Sequence, residues 1–460
     1  MDVDSSNHAI SGDSTGNLVL VWYETTDEYS LRATVKPSGE DWSEPIVIGE
    51  GDSYSIGDIG LVTDSAGNST VVWAAYTGGV DVLQTAELSS DGVWSDTETL
   101  GDGRRFNNAR VVIATDGTIT LVYKRTDGAN DRIESMTRTF GGSWSAPTVL
   151  SEAGADSSNP GITIDAYNNV TVSWQRNTET VPHLQATTKS ALGEWGEVEN
   201  VCTTFEGISD PELISDPAGN LTAMWVGYRD GSQWHVGTST KPLGGTWSTP
   251  TAFTPSDVDA GTFRLASSAS GEILAMWISN VEGLKEIKYS TKNPDEDWSS
   301  AETIGSTREQ IDFFRLARTA NGAATVMWTQ YQNLGDDKKV MLANFDMSYT
   351  IDFDSNGGLG TAPNAQVYST NEPGVTLPNA SGLINAGYRF TGWNTSADGN
   401  GDSFSAGTSF APFSDMTLYA QWEVGSDLAE TGSDVSSPLG IAVFVFAVGV
   451  ALVIVRRVRQ

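Results

Sequence analysis

The sequence predicts an all-β protein, and three observations carry that prediction. Fifteen Trp and 48 Gly stand among 460 residues, with few helix-period apolar patterns, a composition of many short strands and turns. Apolar runs ending in an aromatic recur at Trp22, Trp73, Tyr123, Trp174, Trp225, Trp277 and Trp328, spaced by 50, 51 or 52 residues. A second series, Trp42, Trp94, Trp144, Trp195, Trp247 and Trp298, follows the first six by 20 to 22 residues. A fixed period of this length marks a repeat architecture.

Each unit opens with a turn. Six of the seven aromatics have glycine six residues upstream (Gly16, Gly67, Gly117, Gly219, Gly271 and Gly322), and four have aspartate at minus nine (Asp13, Asp64, Asp165 and Asp216). In the D-x-x-G-N form, as at residues 64–68, the Asp side chain accepts bonds from following amides and Gly supplies a positive φ. Carboxylates do not accumulate at alternating positions, so these are turns and not calcium loops. An apolar strand follows, as in Leu18-Val19-Leu20-Val21-Trp22, and its near-continuous run predicts burial on both faces. An alternating strand comes next (30–36, 285–291). The second aromatic is followed by serine in five of six units, and then by a last short strand such as 45–48. Four strands per unit at this period match a β-propeller blade. Seven aromatics predict seven blades over 1–347, with the strand-end Trp residues packed between blades, each covering up to ~250 Å².

The seventh unit, at about 313–345, lacks an outer strand in the sequence, and the repeat spacing would place an N-terminal substitute upstream of Met1. Residues 1–10 also lack the basic start and apolar run of an export signal. Both absences lead to the expectation that Met1 is an internal methionine.

The period breaks at 348. Residues 348–423 carry Gly387-Tyr388-Arg389-Phe390-Thr391-Gly392-Trp393-Asn394-Thr395 and close on Thr417-Leu418-Tyr419-Ala420-Gln421-Trp422. These segments closely resemble the B-repeat of internalin-like surface proteins, the Listeria–Bacteroides repeat. The resemblance implies a small β-grasp-like sheet used as a stalk or interaction module, with Tyr388, Phe390 and Trp393 in its core.

Residues 424–438 form a linker containing Leu428-Ala429-Glu430-Thr431-Gly432; an apolar run at 439–455 and a basic tail at 456–460 follow. Seventeen apolar residues reach roughly 25 Å as a helix, the lower limit for crossing a bilayer, and arginines after them stay on the cytoplasmic side. The order resembles the sorting signal of Gram-positive cell-wall proteins in its LAxTG variant. The resemblance implies that sortase cleaves between Thr431 and Gly432 and joins Thr431 to peptidoglycan, making this a cell-surface protein.

Formal net charge is −33, from 59 acidic and 26 basic residues, which repels nucleic acid. The single cysteine, Cys202, forms no internal disulfide and reads as a strand thiol. Three histidines, His8, His183 and His235, show no metal-ligand spacing, so no metal or cofactor is expected. The propeller also resembles the sialidase and carbohydrate-binding propellers of exported bacterial proteins. The sialidase Asp-box fails in detail, since Pro37 and Ser89 stand where it needs Asp. A sialidase clamps its substrate carboxylate with three arginines; Arg110, Arg264 and Arg315 share one repeat position here, thirteen residues before Tyr123, Trp277 and Trp328. No tyrosine nucleophile with a glutamate partner is identifiable, so no residue is assigned to catalysis. The three arginines are ligand-site candidates, with strand-end or channel-lining residues as the plainer reading. The chain therefore reads as a wall-anchored adhesin or ligand-binding protein, not an enzyme, with an extracellular protein or glycan as partner. An exported sialidase-like glycosidase and a non-binding spacer are the alternatives. The loops between repeats differ in sequence, which favours a protein partner or one composite site over repeated sugar sites.

Overall fold

The computed structural model describes residues 4–425, apart from 14, 26–28, 52–58, 101–105, 179–181, 192, 229–233, 255–258, 295, 319–321, 334–338, 347, 371, 373 and 413–414. The sorting motif, the apolar run 439–455 and the basic tail lie outside the described residues. Among the described residues no helix is long and apolar enough to cross a membrane.

Seven antiparallel sheets follow one another, over residues 4–51, 59–100, 106–149, 156–202, 206–252, 259–307 and 310–345. The first six have four strands each, paired in chain order. The seventh has three: Gln310–Arg318, Ala324–Tyr331 and Lys339–Phe345. From sheet 1 to sheet 7 the first strands pack side by side, and all seven contribute to one axial cavity. The sheets are blades of a β-propeller.

The repeated turn is held as its residue types require. Asp64 Oδ1 accepts from Asn68 N at 2.8 Å and Oδ2 from Asn68 Nδ2 at 2.8 Å; Asp13, Asp165 and Asp216 bind Asn17, Asn169 and Asn220 in the same way. The Asn then works outward, since Asn68 Oδ1 accepts from Ser90 N at 2.9 Å and ties the first hairpin to the next turn. Gly67 sits at φ 87°, where a side chain would be strained. The serine after the second Trp is a latch: Ser248 Oγ accepts from Thr240 N at 3.0 Å and stands 3.3 Å from Ser239 Oγ. Ser43, Ser95, Ser145 and Ser299 repeat the first of these bonds.

The seams from blade 1 through blade 7 share one plan, with Trp328 of the last of them only partly buried. Trp73, Trp174, Trp225 and Trp277 are 2% exposed or less, each within a cluster that includes the preceding blade. The third strand of that blade supplies one apolar side chain at a fixed position, namely Leu31, Leu83, Ile133, Leu184, Val236 or Ile287, again at 2% exposure or less. The fourth strand, or the residue just beyond it, supplies another: Ile48, Leu100, Leu150, Val201, Phe253 or Ile304. Phe253 meets Trp277 edge-on with ring centroids 5.0 Å apart. Tyr123 fills a Trp position by sending its hydroxyl to Glu134 Oε2 at 3.1 Å, the polar handle a buried Tyr needs. Cys202 is buried at the end of strand Glu199–Cys202.

After 348 the chain forms a five-stranded sheet. Its central pair, Ser348–Asp354 and Met416–Val424, is parallel; Gln366–Ser369 borders the first of these, and Tyr388–Asn394 and Ser403–Phe404 extend the sheet beyond the second. Trp393 is fully buried and donates Nε1–H to Pro378 O at 2.7 Å. Phe390 packs between Trp393 and Trp422. Tyr388 corrects the sequence reading: it is 49% exposed, because it begins its strand and pairs with Val424 at the sheet's end, beyond the core. The domain is fastened to the propeller by a buried cluster. Tyr349 donates its hydroxyl to Glu272 Oε2 at 2.7 Å, and Arg318, fully buried, pairs with the same carboxylate. Arg318 Nη1 also donates to Glu272 O at 2.8 Å. Burial and the neighbouring Glu272 carboxylate push the Tyr349 phenol far above its ordinary range.

Candidate functional site

The axial cavity measures ≈ 570 Å³ and is walled by the first strands of the blades, within the range of ordinary ligand pockets. One local device shapes it. In six of the seven first strands the register slips by one residue beside the cavity, for example between Ser158 and Gly161, between Ser209 and Glu212, and between Asp312 and Arg315. Such bulges re-aim side chains. In blades 3, 4 and 5 the slip places Asn108, Asn159 and Asp210 at φ 53°, 53° and 45°. Asn159 and Asp210 each precede a proline, which pushes its predecessor toward extended conformations. Left-handed backbone there costs ~1–3 kcal/mol per residue and persists only where the surroundings impose it.

The structure brings Arg110, Arg264 and Arg315 to this one cavity. Each guanidinium is held in the same way, with Nη1 donating to the carbonyl of the preceding residue: Ala109 O at 3.2 Å, Phe263 O at 2.6 Å and Phe314 O at 3.1 Å. Glu212 stands at the corresponding position of blade 5. Its Oε1 accepts from Arg264 Nη1 at 2.9 Å and its Oε2 from Leu265 N at 3.0 Å. Enclosure in the ring raises the Glu212 carboxyl above the usual carboxylate range, against the pull of Arg264, the Leu265 amide and Arg315. Even so, 28% of its side-chain surface faces channel space. Partial burial, and secondarily the charge of Arg315, hold His8 below the usual imidazole range.

Among the described lining residues three guanidinium groups share the cavity with two carboxylates, Asp210 and Glu212, the latter already paired with Arg264. Among the described lining residues arginines outnumber carboxylates, inside a chain of net charge −33. Guanidinium forks suit carboxylate or sulfate oxygens, and Asn108 and Asn159 add carboxamide donors and acceptors beside them. Among the described residues no cluster of three His, Cys, Asp or Glu is placed to hold a metal. Reading the sequence by repeat position identified the arginines but passed over Glu212, Asn108, Asn159 and Asp210. The signal was present: Glu212 also lies thirteen residues before its blade's aromatic, and the other three lie fifteen before theirs, in Ser158-Asn159-Pro160 and Ser209-Asp210-Pro211 among other strings.

Residues 349–421 match the Listeria-Bacteroides repeat domain. An ulvan lyase, solved in complex with a glucuronate–sulfated rhamnose saccharide, superimposes with a TM-score of 0.50 at 11% identity, covering 72% of this chain and 90% of the lyase. The polysaccharide lyase Uly1 superimposes with a TM-score of 0.50 at 10% identity, covering 71% and 87%. At such identities the likeness shows the propeller fold alone. A putative Gly-rich membrane protein of Evansella cellulosilytica is 37% identical over 94 residues, 20% of this chain and 11% of that protein. The chain thus matches about a tenth of that relative's length.

Proposed function

We propose that this chain is a surface-displayed binding protein whose propeller takes an acidic saccharide, bearing carboxylate or sulfate, in the axial cavity. The observation that carries the reading is the convergence of Arg110, Arg264 and Arg315 on one cavity of a strongly acidic chain. Two planar forks and a third across the ring grip an anionic group, and Asn108 and Asn159 read neighbouring hydroxyls. The function is binding without turnover. The described lining holds no tyrosine, and Glu212 is engaged by Arg264 and Leu265. The Leu428-Ala429-Glu430-Thr431-Gly432 signal supplies the address, with sortase as the enzyme and peptidoglycan as the acceptor; Thr431→Ala abolishes wall attachment on this reading.

The test is a glycan array containing sialylated, uronate and sulfated saccharides beside neutral ones, followed by titration of the hits. Acidic saccharides bind and neutral ones do not, and Arg315→Ala weakens binding at least tenfold. Equal binding of neutral saccharides, or turnover of a fluorogenic sialoside that is lost in Arg264→Ala, overturns the reading. The pH dependence has a definite sign. On acidification Glu212 gives up its charge above the ordinary carboxylate range, and His8 gains a charge once the pH passes below the ordinary imidazole range. Both changes make the cavity more cationic, so affinity for a sulfated saccharide rises from pH 7 toward pH 5.

A further inference from the structure

Two positions before Arg110 and Glu212 along their strands stand Asn108 and Asp210, and Asn159 holds the same place in blade 4. All three lie where the register slips, opposite no residue of the second strand, and all three carry left-handed backbone. This repeat position is polar in the first five blades, since Asn7, Asp58, Asn108, Asn159 and Asp210 each stand fifteen residues before their blade's aromatic. Asn and Asp are the non-glycine residues that tolerate such backbone best, so backbone shape alone accounts for Asn here. It does not account for a carboxylate that faces the cavity without a partner. Asp210 is exposed and lines the cavity, and among the described residues its carboxylate meets no hydrogen-bond donor or cation. Glu212, by contrast, is engaged by Arg264 and the Leu265 amide. Asn159 Nδ2 donates to Gln175 Oε1 at 3.3 Å, which leaves its Oδ1 as an acceptor.

We propose that the saccharide taken by this cavity is an amino sugar with a free amine, its anionic group on the arginines and its ammonium on Asp210. This narrows the acidic-saccharide reading above, on which it rests, to a zwitterionic ligand. An ammonium has three donors and no acceptor, and Asn108, Asn159 and Asp210 offer acceptors from three neighbouring blades of the cavity wall. The charge-assisted bond at Asp210 is the strongest of these. Two residues of strand rise separate this arc from the arginine position, roughly 7 Å. One hexose ring bridges that span between a substituent at carbon 2 and another at carbon 6.

The probes are glucosamine 6-sulfate, which keeps the amine, and N-acetylglucosamine 6-sulfate, which lacks its charge, each titrated into the full chain in detergent at pH 7. Asp210→Asn is the matched variant, because Asn holds this position with the same backbone in blades 3 and 4. The native chain binds the free amine at least tenfold more tightly than the N-acetyl sugar, and Asp210→Asn brings the two within twofold of each other. Equal binding of both sugars by the native chain overturns the proposal and leaves the acidic-saccharide reading standing. So does a tenfold preference that survives in Asp210→Asn, since the acetyl group is then excluded by its size. Failure of both sulfated sugars to bind up to their solubility limit, or binding of both unchanged in Arg315→Ala, overturns the acidic-saccharide reading and the proposal with it.

Discussion

The seam between blades 4 and 5 and the seam between blades 7 and 1 are built from matching residues with opposite fates. In the first, Leu184, Val201 and Trp225 meet in one cluster, all at 2% exposure or less. In the second, Val340 and Leu342 face outward and Trp22 keeps part of its surface in water. The difference teaches that the apolar repeat specifies one face of each seam at a time. Burial follows only where the outer strand is also present to close the rim.

The largest test of that comparison is paired truncation of the aromatics. Trp225→Ala removes a fully buried indole and lowers unfolding stability by ~3–5 kcal/mol. Trp22→Ala costs less, because that side chain is only partly buried. Denaturant unfolding of the two variants measures both, and equal losses would mean that the seventh seam is closed in solution. A second pair tests the third strands. Leu184→Ala costs ~2–5 kcal/mol, and Val340→Ala stays within ~0.5 kcal/mol, as surface substitutions do. The serine latch gives a smaller effect. Ser248→Ala strips a partner from Thr240 N and from the buried Ser239 hydroxyl, at ~1 kcal/mol, and raises exchange at the amide of Thr240.

The smallest effect is acid opening of the turn in blade 1. The Thr15 side chain, and then the Asn17 side chain and the Asn17 and Thr15 amides, hold the Asp13 carboxyl down at about 2. A carboxyl held below its unfolded value adds stability that is complete above about pH 4 and is lost as pH falls through about 2. Solvent screening keeps the amount small at this exposed site. Protection of the Thr15 and Asn17 amides, taken relative to their intrinsic exchange rate at each pH, should fall between pH 4 and pH 2 in the native chain and stay unchanged in Asp13→Asn.

The all-β class and the four-stranded unit were legible because blade packing demands the same residue types every turn of the ring. Trp225 and Trp174 could be assigned to seams from spacing alone, and Asp64 with Asn68 to a turn from the chemistry of their side chains. The candidate site was legible only in part. Arg264 stands out because Arg110 and Arg315 share its repeat position, but Glu212 is recognisable as its partner only when blades 5 and 6 are side by side. The left-handed backbone at Asn159 and Asp210 runs against what a following proline favours, so local preference pointed away from it. Tyr388 departs from the core expected of an aromatic in that motif because its place at the first residue of a strand leaves it beyond the packed layer.

The fastening of Tyr349 to Glu272 and Arg318 also decides where a mechanical load would enter the ring. Tension applied from the C-terminal side of the second domain reaches Ser348–Asp354 first. Without a fixed point it would pass directly into Lys339–Phe345, whose outer edge has no partner strand among the described residues, and unzip it one hydrogen bond at a time. The Tyr349 hydroxyl and the buried Arg318–Glu272 pair divert that pull into blades 6 and 7 together, where whole hairpins must shear at once. Lys339–Phe345 therefore does not carry the load alone.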